Sequence, residues 1–304
     1  METWVLITVA AAFLQNVRSA MQKHLKGRMG TTGATFVRFG FGVPFALLYM
    51  ALLAVVLARP MPVPDARFFA WAVVGGIAQI AATFLLVHLF SFRNFAVGTA
   101  YSRTEPAQAA LFALVFLGEK ASAGTLVAIA ISVAGVMVIS VARSVVSVRS
   151  LFLSVFTRTA GIGLLSGTCF GISAVAYRSA SLALAPSLPA PDYMIQASYT
   201  LVFVIVLQTL LMLGWLVMRE RGELARIASA WRPALLVGFV GATASFGWFM
   251  AMTLQQAAVV KALAQVEMLF TFASAVLVFK ERVNRLEIAG CTLIVIGVLA
   301  LLMT

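Results

Sequence analysis

Two glutamates stand where a carboxylate is hardest to keep. Of the ten acidic residues, eight lie near the ends of apolar runs or between them, and only Glu105 and Glu267 fall deep inside one. Glu105 belongs to Tyr101-Ser102-Arg103-Thr104-Glu105-Pro106-Ala107-Gln108, and Glu267 to Lys261-Ala262-Leu263-Ala264-Gln265-Val266-Glu267-Met268. A charge at mid-bilayer costs roughly 3 kcal/mol or more, so an acid there points to function. Two chemistries are open to the pair. Glu105 and Glu267 are proton-coupling candidates, acids placed where they could take up and release a proton. Alternatively each forms an ion pair with an intramembrane base, and five are available: Arg18, Arg38, Arg103, Arg178 and Lys261. Near helix ends, Arg18 and Arg178 are expected to snorkel to an interface, as are Arg38 and Lys261 to a lesser degree, whereas Arg103 lies deeper. Five cations against two anions suit a cavity for a carboxylate or phosphate, which the fork of an arginine grips well.

Neutral groups complete the candidate substrate site. Gln15, Asn16 and Gln79 either orient a ligand or bond between helices. Tyr101 shares a helical face with Glu105 and Gln108 at i, i+4 and i+7; Lys261 shares one with Gln265, and Glu267 another with Thr271. Tyr177 and Trp248, with Phe170 and Phe246, are candidates for an aromatic wall. No pattern of metal ligands and no cofactor motif is present. Pro106 removes a backbone donor and crowds the carbonyl four residues back, so the helix should kink or break beside Glu105, exposing groups that transporters use for ligands. Met268 stands at the corresponding place after Glu267, so the expected break is asymmetric. Gly167 with Gly171, and Gly238, Gly241, Ala242 and Ser245, are small-residue faces that allow close helix approach.

The elements that must position these residues are membrane spans. The chain is 62% hydrophobic and 11% charged with a mean hydropathy of +1.03, which excludes a soluble globular protein. Its +12 charge lies mainly in short loops, where it faces anionic lipid rather than nucleic acid. Cys169 and Cys291 fall inside apolar runs and read as packing residues. The first run reads as a retained helix, since Met1-Glu2-Thr3-Trp4 has no basic leader region. The fold class is all-α and multi-pass, with ten spans: Trp4–Ala20, Thr32–Leu57, Phe68–Phe90, Phe95–Leu117, Ser122–Val141, Ala160–Ser179, Tyr193–Met218, Pro233–Gln255, Ala257–Phe279 and Leu286–Met303. Val145–Arg158 is a candidate interfacial helix.

Sliding the chain on itself by 162 residues aligns Gly76 with Gly238, Phe84 with Phe246, Glu105 with Glu267, Glu119-Lys120 with Glu281-Arg282 and Gly135-Val136 with Gly297-Val298. Residues 1–143 and 160–304 are therefore expected to be two five-helix repeats joined by a 144–159 linker. An odd number of spans turns the second repeat upside down, giving an inverted repeat. With the N-terminus outside, inner loops hold fourteen Lys and Arg residues and outer loops only Arg59, Arg67 and Lys120. The positive-inside rule thus favours both termini outside.

These motifs resemble the EamA-type branch of the drug/metabolite transporter superfamily. The resemblance rests on Thr104-Glu105-Pro106, Gly118-Glu119-Lys120 and Gly135-Val136, on Val266-Glu267-Met268, Lys280-Glu281-Arg282 and Gly297-Val298, and on Arg38. Leu14-Gln15-Asn16 replaces a Trp-Gly often found in the first helix. The resemblance implies secondary transport in the cell (inner) membrane, often export of amino acids or related metabolites, through a central cavity between the halves. It also implies cytoplasmic termini, against the charge count. The expected partners are membrane lipid and a small-molecule cargo, either an amino acid or an anionic or zwitterionic metabolite. The protein itself is expected to be a monomer or weak dimer. Proton coupling, exchange and facilitated diffusion all fit. A carrier of phosphorylated or nucleotide-linked metabolites is the alternative, favoured if Lys261 and Arg103 both face the cavity. An intramembrane lipid-modifying enzyme is disfavoured: the histidines are His24 and His88, Asp65 and Asp192 lie in loops, and there is no HExxH or GxSxG.

Overall fold

The computed structural model describes residues 2–25, 27–89, 92, 100–142, 156–277 and 284–303. All regular structure among them is helical. In chain order the α-helices are α1 (Thr3–Leu25), α2 (Thr31–Gly40), α3 (Val43–Ala51), α4 (Ala66–Leu89), α5 (Glu105–Leu117), α6 (Ala123–Ala142) and α7 (Arg158–Ala183). They continue with α8 (Tyr193–Arg219), α9 (Arg221–Ser229), α10 (Trp231–Leu254), α11 (Ala257–Leu263), α12 (Glu267–Leu277) and α13 (Arg285–Leu302). Eight helical segments among the described residues are long and apolar enough to cross a bilayer: α1, α2 with α3, α4, α6, α7, α8, α10 and α13. The protein is a multi-pass membrane protein. The expected fourth and ninth spans are not among these eight: in the described part of the first, residues 100–117, a turn precedes α5, and in the second, residues 257–277, α11 and α12 are separated by a short turn. Residues 143–155, carrying most of the expected interfacial helix, and the Lys280-Glu281-Arg282 turn lie outside the described residues.

Local sequence sets the boundaries. Asp192 caps α8 by accepting from the backbone N–H of Met194 at 3.0 Å and of Ile195. Asn284 and Glu287 form a reciprocal capping box on α13. Gly118, at φ +65°, ends α5 in the left-handed conformation. The second span is not the continuous helix expected over Thr32–Leu57. Pro44 has no N–H and crowds the Gly40 carbonyl, so α2 stops there and α3 restarts after a turn at Phe41–Gly42.

The chain divides into two compact units, Met1–Ile80 with Ala176–Gln256 and Ala81–Val175 with Ala257–Thr304. In the first, α2–α3 packs against α8, its equivalent under the 162-residue shift. Thr32 meets Glu220 at one end of this contact and Leu53 meets Ile195 at the other, so the two run antiparallel. In the second unit α6 packs against its own equivalent, α13. A β-carbon on Gly135 would meet the Ile294 backbone nitrogen at 2.8 Å, and one on Gly297 would meet that of Ser132 at 2.8 Å. Adding 162 to 135 and subtracting it from 294 turns the first contact into the second. Equivalent helices in antiparallel contact are what an inverted repeat requires.

Candidate functional site

The second unit holds both intramembrane acids. Glu105 opens α5 and Glu267 opens α12, each directly after a break in its span. The breaks fall at equivalent positions: a turn at Arg103–Thr104 and a 3₁₀ turn at Ala264–Val266. The expected asymmetry is therefore corrected. Pro106 shapes the first break, where Arg103 and Thr104 donate to the carbonyls of Ala100 and Tyr101 at 3.1 and 3.2 Å. The second forms without a proline, its N–H groups bonding three residues back instead of four. Both carboxylates consequently sit at half-helix N-termini, where the backbone field favours negative charge.

Two bases cross-link these spans. Arg103 Nη1 donates to Glu267 Oε2 at 3.3 Å. Lys261 Nζ lies 2.9 Å from Glu105 Oε1, as a charge contact rather than an aligned hydrogen bond. Each pair joins a residue of the first repeat to one of the second. Gln265, 4% exposed, donates from Nε2 to the Arg103 carbonyl at 3.3 Å. Gln265 and Arg103 are themselves 162 apart, and a residue that touches its own repeat image marks the pseudo-two-fold axis. The ion pairs therefore bracket that axis. The turn at Arg103–Thr104 interrupts the helical face that Tyr101 was expected to share with Glu105, and Tyr101 is buried in a cluster with Ala100 and Ala160, against which Met137 and Leu164 pack. Gln108 turns back onto Thr104, donating to its hydroxyl at 2.8 Å. The broken span lies close against α7. A β-carbon at Gly167 would come within 2.9 Å of the Ser102 carbonyl oxygen.

The first unit gathers the remaining candidates. Trp248 Nε1 donates to Gln15 Oε1 at 3.0 Å, joining α10 to α1, where Asn16 is half-buried beside it. Tyr177 Oη donates to Gln79 Oε1 at 3.0 Å. Gln208 Nε2 reaches the same oxygen at 2.9 Å, the Tyr177 hydroxyl at 3.1 Å and the Gly76 carbonyl at 3.1 Å. Arg38 lines a narrow cavity with Gln79, Gln208, Ser245 and Phe249. Gln208 was not singled out from the sequence. The available signal was an amide in the middle of a long apolar span.

The five bases therefore separate by role. Arg103 and Lys261 hold the two acids. Arg178 does not snorkel: its guanidinium donates to the carbonyls of Met252 and Gln255 at 2.6 Å each, closing the C-terminus of α10. Nor does Arg18, which is buried and shares the flank of Gly241 with buried Arg38.

A model of the EamA-like transporter family matches this sequence twice, over residues 2–141 and 157–303. The chain belongs to the EamA-like transporter family. That makes the protein a membrane transporter of small substrates, with lipid as its surroundings. A solved structure titled "Crystal structure of protein" superposes on the transporter with a TM-score of 0.72, covering 99% of both chains at 15% identity, and so shows the same fold. No curated protein matches the transporter's sequence.

Proposed function

We propose that the transporter is a secondary carrier that exports a small amino acid or related zwitterionic metabolite across the cell (inner) membrane by alternating access. The observation carrying this reading is the pair of crossed ion pairs, Arg103–Glu267 and Lys261–Glu105, at matched breaks in two spans. Their four charges sum to zero. A zwitterion presents one ammonium and one carboxylate, so it can replace either pair's internal contacts with its own and leave the site neutral. A phosphorylated or nucleotide-linked anion would leave both glutamates facing negative charge, which disfavours that alternative. The surplus of cations read from the sequence shrinks accordingly, since Arg178 also serves as a helix cap. Within the first unit, Gln79, Gln208, Tyr177 and Arg38 form a separate polar group, and Gln15 with Trp248 another.

Coupling to protons requires that Glu105 or Glu267 release its base when it accepts a proton, so cargo and proton compete for the same carboxylate. The test is counterflow in proteoliposomes, with a labelled neutral amino acid competed by a panel of zwitterions, organic cations and phosphorylated anions. Zwitterions are expected to compete best. Competition by phosphorylated anions alone would remove the basis of the proposal.

A further inference from the structure

Helix α9 is too short and too polar to cross a membrane, and the expected interfacial helix was placed elsewhere. We propose that α9 and the helix ends flanking it form a docking surface for the phosphate headgroups of anionic phospholipid, independently of the cargo. The segment from Arg219 to Arg232 carries four arginines and two glutamates. The structure segregates them. Glu223 is 7% exposed and faces inward with Ile227 and Ala230, at i, i+4 and i+7. Its carboxylate accepts from the Gly30 N–H at 2.7 Å, directly ahead of α2. Glu220 accepts from the Thr32 hydroxyl and from Trp215 Nε1, both at 3.1 Å. Both acids are thus satisfied internally, while Arg219, Arg221, Arg226 and Arg232 remain exposed. Of these, Arg226 shares its charge with Glu223.

Two half-exposed indoles flank the patch, Trp215 and Trp231, and the Arg232 guanidinium lies 5.4 Å from the Trp231 ring centre. Exposed tryptophan at a span end marks the headgroup level, and guanidinium forks suit phosphate oxygens. The opposite end of the same unit provides the contrast. There Arg59 pairs with Asp192 and Asp65 caps α4, so two acids balance Arg59 and Arg67. Arg178, also at that end, is half-buried on the Met252 and Gln255 carbonyls, so the exposed arginine excess among the described residues of Arg219–Arg232 is what matches the anionic leaflet of a membrane. Because Glu223 also holds the start of α2, lipid bound here bears on the second span.

The experiment compares thermal unfolding of the full chain in nanodiscs of phosphatidylcholine alone and of phosphatidylcholine with phosphatidylglycerol. Wild type is expected to unfold several degrees higher in the mixed bilayer, and high salt should remove the increment. The variant R219Q/R221Q/R232Q, which keeps Arg226 on Glu223, should match wild type in phosphatidylcholine and lose most of the increment. Lysine at the same three positions should restore it in part, and this comparison stands even if the glutamine variant fails to fold. The proposal is overturned if wild type shows no increment or if the glutamine variant keeps it whole. It is equally overturned if inorganic phosphate in detergent gives the same increment, since the site would then bind a soluble anion.

Discussion

Replacing Glu267 by Gln keeps its shape and removes its charge, which leaves Arg103 beside a neutral amide. At 3.3 Å and an effective dielectric of about 20, the lost Coulomb attraction is about 5 kcal/mol. Desolvation offsets much of that, and breaking a buried pair by removing one partner typically costs about 3–5 kcal/mol. The Arg103 side chain is 29% exposed, so water screens what remains and about 3 kcal/mol is expected for Glu267→Gln. Arg103→Met is expected to cost a similar amount, about 3 kcal/mol, because it removes the cation paired with a carboxylate that is only 6% exposed. Neutralising both should cost about 1 kcal/mol more than either perturbs packing alone, and far less than the sum of the singles. The assay is thermal or denaturant unfolding of the four proteins in one detergent, read as a double-mutant cycle. A double variant as unstable as the two singles added together would refute the reasoning, since it would mean that the two groups do not interact.

Gly238→Ala places a β-carbon 2.3 Å from the Phe41 carbonyl, so unfolding assays should show a loss of at least about 1–3 kcal/mol. Gly161→Ala and Gly214→Ala, which meet nothing within 4 Å, should be neutral or slightly stabilising. Arg178→Gln should lower stability by about 1–3 kcal/mol through the uncapped carbonyls of Met252 and Gln255, whereas a snorkelling arginine would be replaced without effect. Gln208→Leu should cost more than Tyr177→Phe in the same assay, because it removes donors from Gln79, Tyr177 and Gly76 together.

The span pattern and the repeat were legible because both rest on long apolar runs and a fixed offset. Glu105 and Glu267 were legible for a related reason: charge inside such a run has few explanations. What the residues could not reveal was partnership. Helical wheels drawn through Tyr101–Gln108 assume an unbroken helix, and the turn at Arg103–Thr104 breaks that assumption. The break at Ala264–Val266 carries no proline, so no residue's own preference announces it in the sequence. Arg178 looked like a helix-end cation, and its true ligands, the carbonyls of Met252 and Gln255, lie more than seventy residues away. Helix α9 was hidden because its apolar face includes a buried glutamate, which makes it look like a charged loop.

The account turns on whether the crossed pairs contact cargo or merely brace the spans. Counterflow of a labelled zwitterionic amino acid, in proteoliposomes holding wild type or Glu105→Gln at equal folded amounts, measures this directly. Saturable exchange by wild type, with a large loss in the folded Glu105→Gln variant, is the predicted result. Folded Glu105→Gln protein that exchanges the amino acid at the wild-type rate and with unchanged half-saturation would contradict it.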